Sequence, residues 1–166
     1  PVLHSVRFPT IALTLEYAGL KIGISTDLVA FRKGEREQFL DQLDVWVLDS
    51  SSLTRDLIRY DEEKKEPYGH SSVQTSLGWL KEREPLPWVL LTHFGKEPVE
   101  MGNSALLLNV QEIIDDVALK LSLSLRYHLC TDDETFTFVK NQEWKFSEKR
   151  MTIGPYTMVD KKVANL

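Results

Sequence analysis

Apolar residues alternate with polar or small ones near the start of the chain, and this pattern predicts a β-hairpin. The alternation has a period of two, which is typical of half-buried strands. The alternating apolar residues of the first strand are Ile11, Leu13, Leu15 and Tyr17. A turn at Ala18 and Gly19 leads into a second alternating segment, so residues 10–25 are predicted to form two antiparallel strands. Two continuous apolar runs, at residues 45–48 and 88–91, are typical of strands buried on both faces.

Wider spacings of apolar residues predict helices between and after these strands. Residues 71–82 place Val73, Leu77 and Leu80 on one helical face, and residues 110–121 have a second such face. The remaining elements predicted from the pattern are helices at 35–43 and 53–60, a charged loop at 61–68, and strands at 127–130 and 135–139. Residues 141–166 are weakly patterned and are expected to form an irregular tail.

This order of strands and helices predicts an α/β fold of the layered α+β kind, with helices packed on one face of a sheet. The hairpin makes that sheet mixed rather than purely parallel. A chain of 166 residues suits one domain with a real core. We place that domain at residues 1–140 and the tail at residues 141–166. Trp46 and Trp88 lie within the apolar runs and are predicted to be core residues.

Charge and composition narrow the range of partners. The net charge is −5, from 25 acidic and 20 basic residues, which disfavours binding to a long phosphate backbone. A small anionic substrate is compatible with this charge, because a metal ion can supply positive charge. No apolar run approaches the roughly 20 residues that span a bilayer, so no membrane partner is expected. Cys130 is the single cysteine and cannot form an internal disulfide, which favours a cytoplasmic location.

Three residues with metal-binding side chains stand beside predicted strands. His4 precedes the hairpin, Asp27 follows its second strand in Ser-Thr-Asp, and His93 follows the run at 88–91. Loops at strand ends of layered α/β folds converge on one edge of the sheet. Imidazole and carboxylate together suit zinc, with manganese or iron as alternatives. A structural alternative stays open for each residue, since Asp27 could form an Asx turn and a histidine could be a hydrogen-bonded structural residue.

Two polar segments have weaker functional interpretations. Arg32, Lys33 and Arg36 follow Asp27 closely and could hold a substrate phosphate, but the sequence favours a solvated turn. Residues 50–52 are three consecutive serines without the glycines of a nucleophile elbow, so the sequence disfavours a serine hydrolase.

The order of these motifs resembles the C-terminal half of the metallo-β-lactamase fold. The nearest branch is that of ribonuclease Z and the related cyclic phosphodiesterases. His4, Asp27 and His93 match the histidine, the bridging aspartate and the final histidine of that family, which implies that they bind metal. Residues 91–95, Leu-Thr-His-Phe-Gly, resemble the family's Leu-Thr-His-Phe-Ser segment. The resemblance covers residues 1–140 and implies one half of an αββα sandwich.

Two further segments fit the same resemblance. Residues 69–72, Gly-His-Ser-Ser, are similar to the family's His-Ser-Thr segment, and residues 48–51, Leu-Asp-Ser-Ser, stand at the place of its Glu-Ala-Thr segment. The acid and the histidine of these segments pair to assist catalysis in the family, which implies Asp49 and His70 as the catalytic pair. The implied activity is that of a metal-dependent hydrolase, foremost a phosphodiesterase or nuclease, acting on a small phosphodiester or a nucleic acid.

The family's His-x-His-x-Asp-His motif is absent from this sequence. The chain has four histidines, and no two of them are separated by a single residue. The sequence begins almost at the first matching motif, as though cut there. The resemblance therefore implies a completing N-terminal half, on a companion chain or on an absent segment of the same polypeptide, without which we expect no activity. Two alternatives stay open: a non-catalytic binding or scaffold protein that keeps the fold, and a lactonase or thioester hydrolase.

Overall fold

A computed structural model of the chain describes residues 2–3, 10–32, 34–63, 67–95, 105–130, 135–140, 150–153 and 156–161. The chain divides into two compact units, Pro1–Leu129 and Cys130–Leu166. The strands of the first unit, in chain order, are β1 (Val2–Leu3), β2 (Leu13–Tyr17), β3 (Leu20–Ser25), β4 (Ala30–Phe31), β5 (Val45–Asp49), β6 (Leu57–Tyr60), β7 (Pro67–His70), β8 (Trp88–Thr92) and β9 (Arg126–Leu129). Its helices within the described residues are α1 (Glu35–Leu40), α2 (Val73–Gly78) and α3 (Ala105–Leu121).

A mixed five-stranded sheet organises the first unit, in the order β2-β3-β5-β8-β9. Strands β3, β5, β8 and β9 are parallel, and β2 pairs antiparallel with β3. The predicted hairpin and both predicted apolar strands are confirmed, as is the mixed α/β class. Two small antiparallel pairs, β1 with β4 and β6 with β7, lie outside the main sheet. The parallel order brings the carboxyl ends of β3, β5 and β8 to one edge.

The hydrophobic core lies between one face of this sheet and the three helices. Alternate residues of β5 and β8 point to that face, and they pack in one cluster with side chains of α1, α2 and α3. The fully buried members of the cluster are Trp46, Leu48, Val73, Leu77, Leu80, Val89, Leu91 and Ile114. Trp46 and Trp88 are both 0% exposed, so the prediction that they are core residues is confirmed. The Trp46 indole also donates to the Ser25 hydroxyl at 2.7 Å.

The other face of the sheet is apolar at its β2 side. Register pairs Leu13, Leu15 and Tyr17 with residues 24, 22 and 20 of β3, so these side chains share one face. Their exposed fractions are 45%, 53% and 83%. Three large apolar side chains in a row on an exposed strand are the kind of surface that another polypeptide covers.

The second unit contains a three-stranded antiparallel sheet. Its strands are β10 (Thr135–Lys140), β11 (Arg150–Ile153) and β12 (Tyr156–Lys161), in the order β10-β12-β11. Residues 141–166 were expected to form an irregular tail, and β11 and β12 contradict this over their own lengths. The pairing of β12 with β10 joins residues about twenty positions apart, and the weak alternation of residues 150–161 does not reveal it.

The helix predicted at residues 53–60 is wrong over its whole length, because residues 53–56 are not helical and residues 57–60 form β6. Side chains in and beside this segment form hydrogen bonds that a helix at these residues would not contain. Ser52 donates to the carbonyl of Arg55 at 2.5 Å, and the Asp56 carboxylate accepts from Ser72. Such bonds compete with the helical ladder. The predicted helices at 35–43 and 71–82 are shorter in the structure, as α1 and α2. No helix in the described ranges is long and apolar enough to cross a membrane.

Candidate functional site

Four ionisable side chains meet at the carboxyl edge of the parallel strands. Asp27 follows β3 by two residues, Asp49 ends β5, His93 follows β8 directly, and His70 ends β7. One carboxylate oxygen or ring nitrogen from each of them lies within 4.8 Å of those of the others. Parallel strand order accounts for the grouping of Asp27, Asp49 and His93, whereas His70 comes from the separate β6–β7 pair.

The structure brings together two of the three predicted metal ligands. His93 Nδ1 lies 3.6 Å from Asp27 Oδ1. The third, His4, lies outside the described residues. Asp49 and His70, the predicted catalytic pair, are in direct contact, with His70 Nδ1 2.9 Å from Asp49 Oδ2. The same His70 nitrogen is 3.9 Å from Asp27 Oδ1, so the pair and the candidate ligands form one cluster.

The Asp49 carboxylate is buried and fully hydrogen-bonded, with the residue only 1% exposed. Its Oδ2 accepts from the Asp27 backbone N–H at 2.7 Å and faces His70 Nδ1. Its Oδ1 accepts from the Ser51 backbone N–H at 2.7 Å and from the Ser51 hydroxyl at 2.6 Å. Four donors satisfy the lone pairs of both oxygens. Asp49 therefore holds its neighbours in place and has little capacity left to bind a metal ion.

The Asp27 carboxylate has the opposite environment. Its side chain is 43% exposed. Among the residues that the structure describes, no donor comes within hydrogen-bonding distance of it, and His93 Nδ1 and His70 Nδ1 lie 3.6 Å and 3.9 Å from its Oδ1. An exposed carboxylate beside two imidazoles is suited to binding a cation. Asp27 is therefore the candidate metal ligand, whereas Asp49 positions the residues around it.

Asp27 and His93 both have left-handed backbone conformations, with φ of 54° and 57°. This region costs a non-glycine residue roughly 1–2 kcal/mol. Such strain persists only where the surroundings fix the conformation, and it is common at functional sites. Asp49 fixes Asp27 through the backbone N–H, and the Ser50 N–H donates to the carbonyl of Thr92, next to His93, at 2.8 Å.

The β6–β7 hairpin carries His70 to the site. Gly69 has φ of 120°, and a β-carbon there would overlap the carbonyl of Leu57 across the hairpin. After His70, the Ser71 N–H donates to the carbonyl of Leu28 at 2.7 Å, and the Ser71 hydroxyl donates to the carbonyl of Val29. These contacts tie the end of the hairpin to the loop that contains Asp27.

The α2 helix begins directly after this segment. Ser72 is its N-cap and accepts from the Thr75 N–H at 3.2 Å. The Ser72 N–H and hydroxyl both donate to Asp56 Oδ1 at 2.7 Å. His70, the last residue of the hairpin, is therefore fixed on one side by the pairing of β6 with β7 and on the other by the capped start of α2.

Hydrogen bonding sets the protonation states of Asp49 and His70. Burial would raise the pKa of Asp49, but the hydrogen bonds from His70 and Ser51 outweigh it and hold the pKa below its usual value. The hydrogen bond to Asp49 raises the pKa of His70 above its ordinary value, against the effect of burial, and the charges of Asp49 and Asp27 add to the rise. The pair therefore favours an ionised carboxylate and a protonated imidazole.

The structure bears on the two polar segments that had weaker functional interpretations, residues 50–52 and the basic segment at 32–36. Ser51 contacts both Asp49 and His93. From the sequence, the serines at 50–52 were considered only as nucleophiles of a serine hydrolase, and that role was disfavoured. The partner His93 is 42 positions away from Ser51, so no local pattern could have revealed the contact. Arg36 of the basic segment lies in α1, not in a turn, and its exposed side chain pairs with Glu37 at 2.6 Å. Lys33 lies outside the described residues.

Comparisons of the chain with protein-family models, with curated proteins and with solved structures found no match.

Proposed function

We propose that this chain supplies part of the active site of a metal-dependent hydrolase of the phosphodiesterase or nuclease type. The observation that carries the proposal is the cluster of Asp27, Asp49, His70 and His93 within 4.8 Å. Carboxylates and imidazoles are the ligand types of zinc, manganese and iron sites. The edge of a parallel sheet is also where ligand sites of layered α/β proteins collect.

Asp27 and His93 are the residues that would hold the metal, with His4 as a third ligand from outside the described residues. The half-exposed carboxylate of Asp27 and the half-exposed ring of His93 suit this role. A bound divalent cation would polarise a phosphoryl oxygen and lower the pKa of water toward about 7.

His70 would be the general acid in this proposal. A histidine whose pKa is raised keeps its proton nearer to neutral pH and can give it to a departing oxygen. Asp49 accepts from Nδ1, so the second proton of the imidazolium is on Nε2, and His70 would transfer this proton. The rigid network around Asp49 keeps the ring in one orientation, which positions Nε2 as well.

A completing N-terminal half with a His-x-His-x-Asp-His motif belongs to the proposal. The four histidines of this chain do not have that spacing, and a two-metal site needs ligands beyond Asp27, His93 and His4. The exposed apolar side chains of β2 are in keeping with a further polypeptide. The net charge of −5 favours a small phosphodiester over a long nucleic acid as substrate.

Calorimetric titration of Zn²⁺ and Mn²⁺ into the metal-stripped chain tests the proposal. We expect one site in the wild-type chain and at least about tenfold weaker binding in Asp27→Asn. Asp41→Asn is the matched control, because Asp41 is an exposed aspartate at the C-cap of α1. A wild-type chain that binds neither ion would refute the proposal and favour the non-catalytic scaffold.

A further inference from the structure

The hydroxyl of Ser51 is a buried contact between Asp49 and His93. Ser51 is 7% exposed. Its Oγ lies 2.6 Å from Asp49 Oδ1, 3.2 Å from the carbonyl oxygen of His93 and 3.4 Å from His93 Nδ1. The serine follows the end of β5 and the histidine follows β8, so the contact joins two neighbouring strand ends.

The chemistry of the three neighbours decides the direction of each hydrogen bond. A hydroxyl group has one hydrogen to donate. The ionised Asp49 oxygen and the His93 carbonyl can only accept, and the shorter bond to the charged carboxylate is the stronger. The Ser51 hydrogen therefore goes to Asp49, and its oxygen is left as an acceptor toward His93.

The surroundings of His93 Nδ1 lead to the same assignment. Besides Ser51 Oγ, this nitrogen faces Asp27 Oδ1 and Asp49 Oδ2, each at 3.6 Å. All three neighbours are oxygens that accept, and two carry negative charge. A lone pair on Nδ1 would be repelled by them, whereas an N–H would be attracted.

We infer that Ser51 is a positioning residue that keeps the proton of neutral His93 on Nδ1 and so leaves Nε2 as the nitrogen that binds a metal ion. The chain of donation runs from His93 Nδ1–H to Ser51 Oγ, and from Ser51 Oγ–H to Asp49 Oδ1. Partners of this kind orient a ligand ring and fix its tautomer. The consequence for metal binding rests on the proposed function, whereas the tautomer itself does not.

NMR of the imidazole nitrogens in the metal-free, ¹⁵N-labelled chain tests the tautomer, at a pH where the His93 ring is neutral. His93→Gln identifies the signals. We expect His93 to be protonated on Nδ1 in the wild-type chain and to shift toward the Nε2-protonated form in Ser51→Ala. Ser51→Thr keeps the hydroxyl and should restore the wild-type spectrum. Ser50→Ala is the matched control, since Ser50 is also buried and its hydroxyl contacts the Leu48 carbonyl instead.

Zn²⁺ affinity of the same variants tests the consequence. Loss of such a partner typically weakens metal binding about 10–100-fold, and we expect this for Ser51→Ala and not for Ser50→Ala. An Nε2-protonated His93 in the wild-type chain, or a tautomer that Ser51→Ala leaves unchanged, would overturn the inference even if Zn²⁺ binds. The expected tautomers without any Zn²⁺ binding would support the inference and refute the proposed function.

Discussion

Two aspartates at neighbouring strand ends have the same side chain and different tasks. Asp49 is buried with four donors, whereas Asp27 is half-exposed and accepts no hydrogen bond from the residues that the structure describes. Replacement of each by asparagine keeps the shape and removes one acceptor oxygen. The same substitution therefore separates structural support from cation binding.

Asp49→Asn should destabilise the fold by about 2–4 kcal/mol, because an amide group would direct its own hydrogens at buried donors. Asp27→Asn should change stability by less than about 0.5 kcal/mol, since its carboxylate is exposed and asparagine tolerates a left-handed backbone. Urea unfolding of both variants measures the difference. Equal losses of stability in Asp49→Asn and Asp27→Asn would contradict the conclusion that only Asp49 supports the fold.

The roles of Asp27 and Asp49 could not be predicted equally well from the sequence. Asp27 and His93 could be predicted because each follows a strand with a clear apolar pattern, and parallel strand ends meet at one edge. Asp49 and His70 came only from the resemblance to a family. The sequence did not reveal that Asp49 contacts the Asp27 N–H and the Ser51 hydroxyl, since such contacts depend on how separate loops pack.

Among the elements, the β6–β7 hairpin was the least predictable from the sequence. Residues 57–60 lack the alternation of a half-buried strand, and their burial follows no regular order. Their pairing partners lie beyond a charged segment that resembles an ordinary loop. The strands of the main sheet were predictable because burial on both faces requires continuous apolar residues.

Gly69→Ala should disrupt this hairpin and move His70. The residue needs a positive φ, and the added β-carbon would meet the Leu57 backbone, which cannot shift cheaply. We expect a loss of about 2–3 kcal/mol in the free energy of unfolding. Gly78→Ala is the control, because its β-carbon would enter open space at the end of α2, and it should be neutral or slightly stabilising. Thermal unfolding compares them, and a Gly69→Ala chain as stable as Gly78→Ala would show that the hairpin is not constrained there.

Asp56→Ala tests how strongly the start of α2 is anchored. Burial would raise the pKa of Asp56, but the hydrogen bonds from Ser72 and Thr75 lower it below its ordinary value of 3.8. Because this pKa is lowered, the ionised Asp56 carboxylate stabilises the folded state at any pH well above 3.8. This stabilisation is lost as the pH falls through the pKa that Asp56 has in the folded state. We expect a cost of about 1 kcal/mol at neutral pH.

The pH dependence distinguishes this contact from a general packing effect. The difference in unfolding free energy between the wild-type chain and Asp56→Ala should shrink as the pH falls below 3.8, as measured by urea unfolding. Glu62→Ala is the control, because Glu62 is exposed in the segment between β6 and β7. A difference that stays constant with pH would mean that the ionised form of Asp56 contributes nothing.

For the whole molecule, the proposed function requires a second polypeptide segment. Asp27, His93 and His4 would hold at most one metal ion firmly, whereas the two-metal clamp needs about twice as many ligands. The row of Leu13, Leu15 and Tyr17 on β2 leaves apolar surface in contact with water, which a partner would cover at a gain of about 25 cal/mol for each Å². A second copy of this chain could cover that surface but would bring no new histidine motif.

We therefore expect the purified chain alone to bind at most one Zn²⁺ per protomer and to leave bis(p-nitrophenyl) phosphate unhydrolysed. Native mass spectrometry gives the metal count and the oligomeric state, and absorbance of released nitrophenol gives the activity. Leu15→Lys on the exposed face of β2 should reduce any self-association without changing the Zn²⁺ count, because the apolar row and the metal ligands are different residues. A stable, dimetallic and active monomer of this chain would refute the need for a completing half, since its own residues would then supply every ligand.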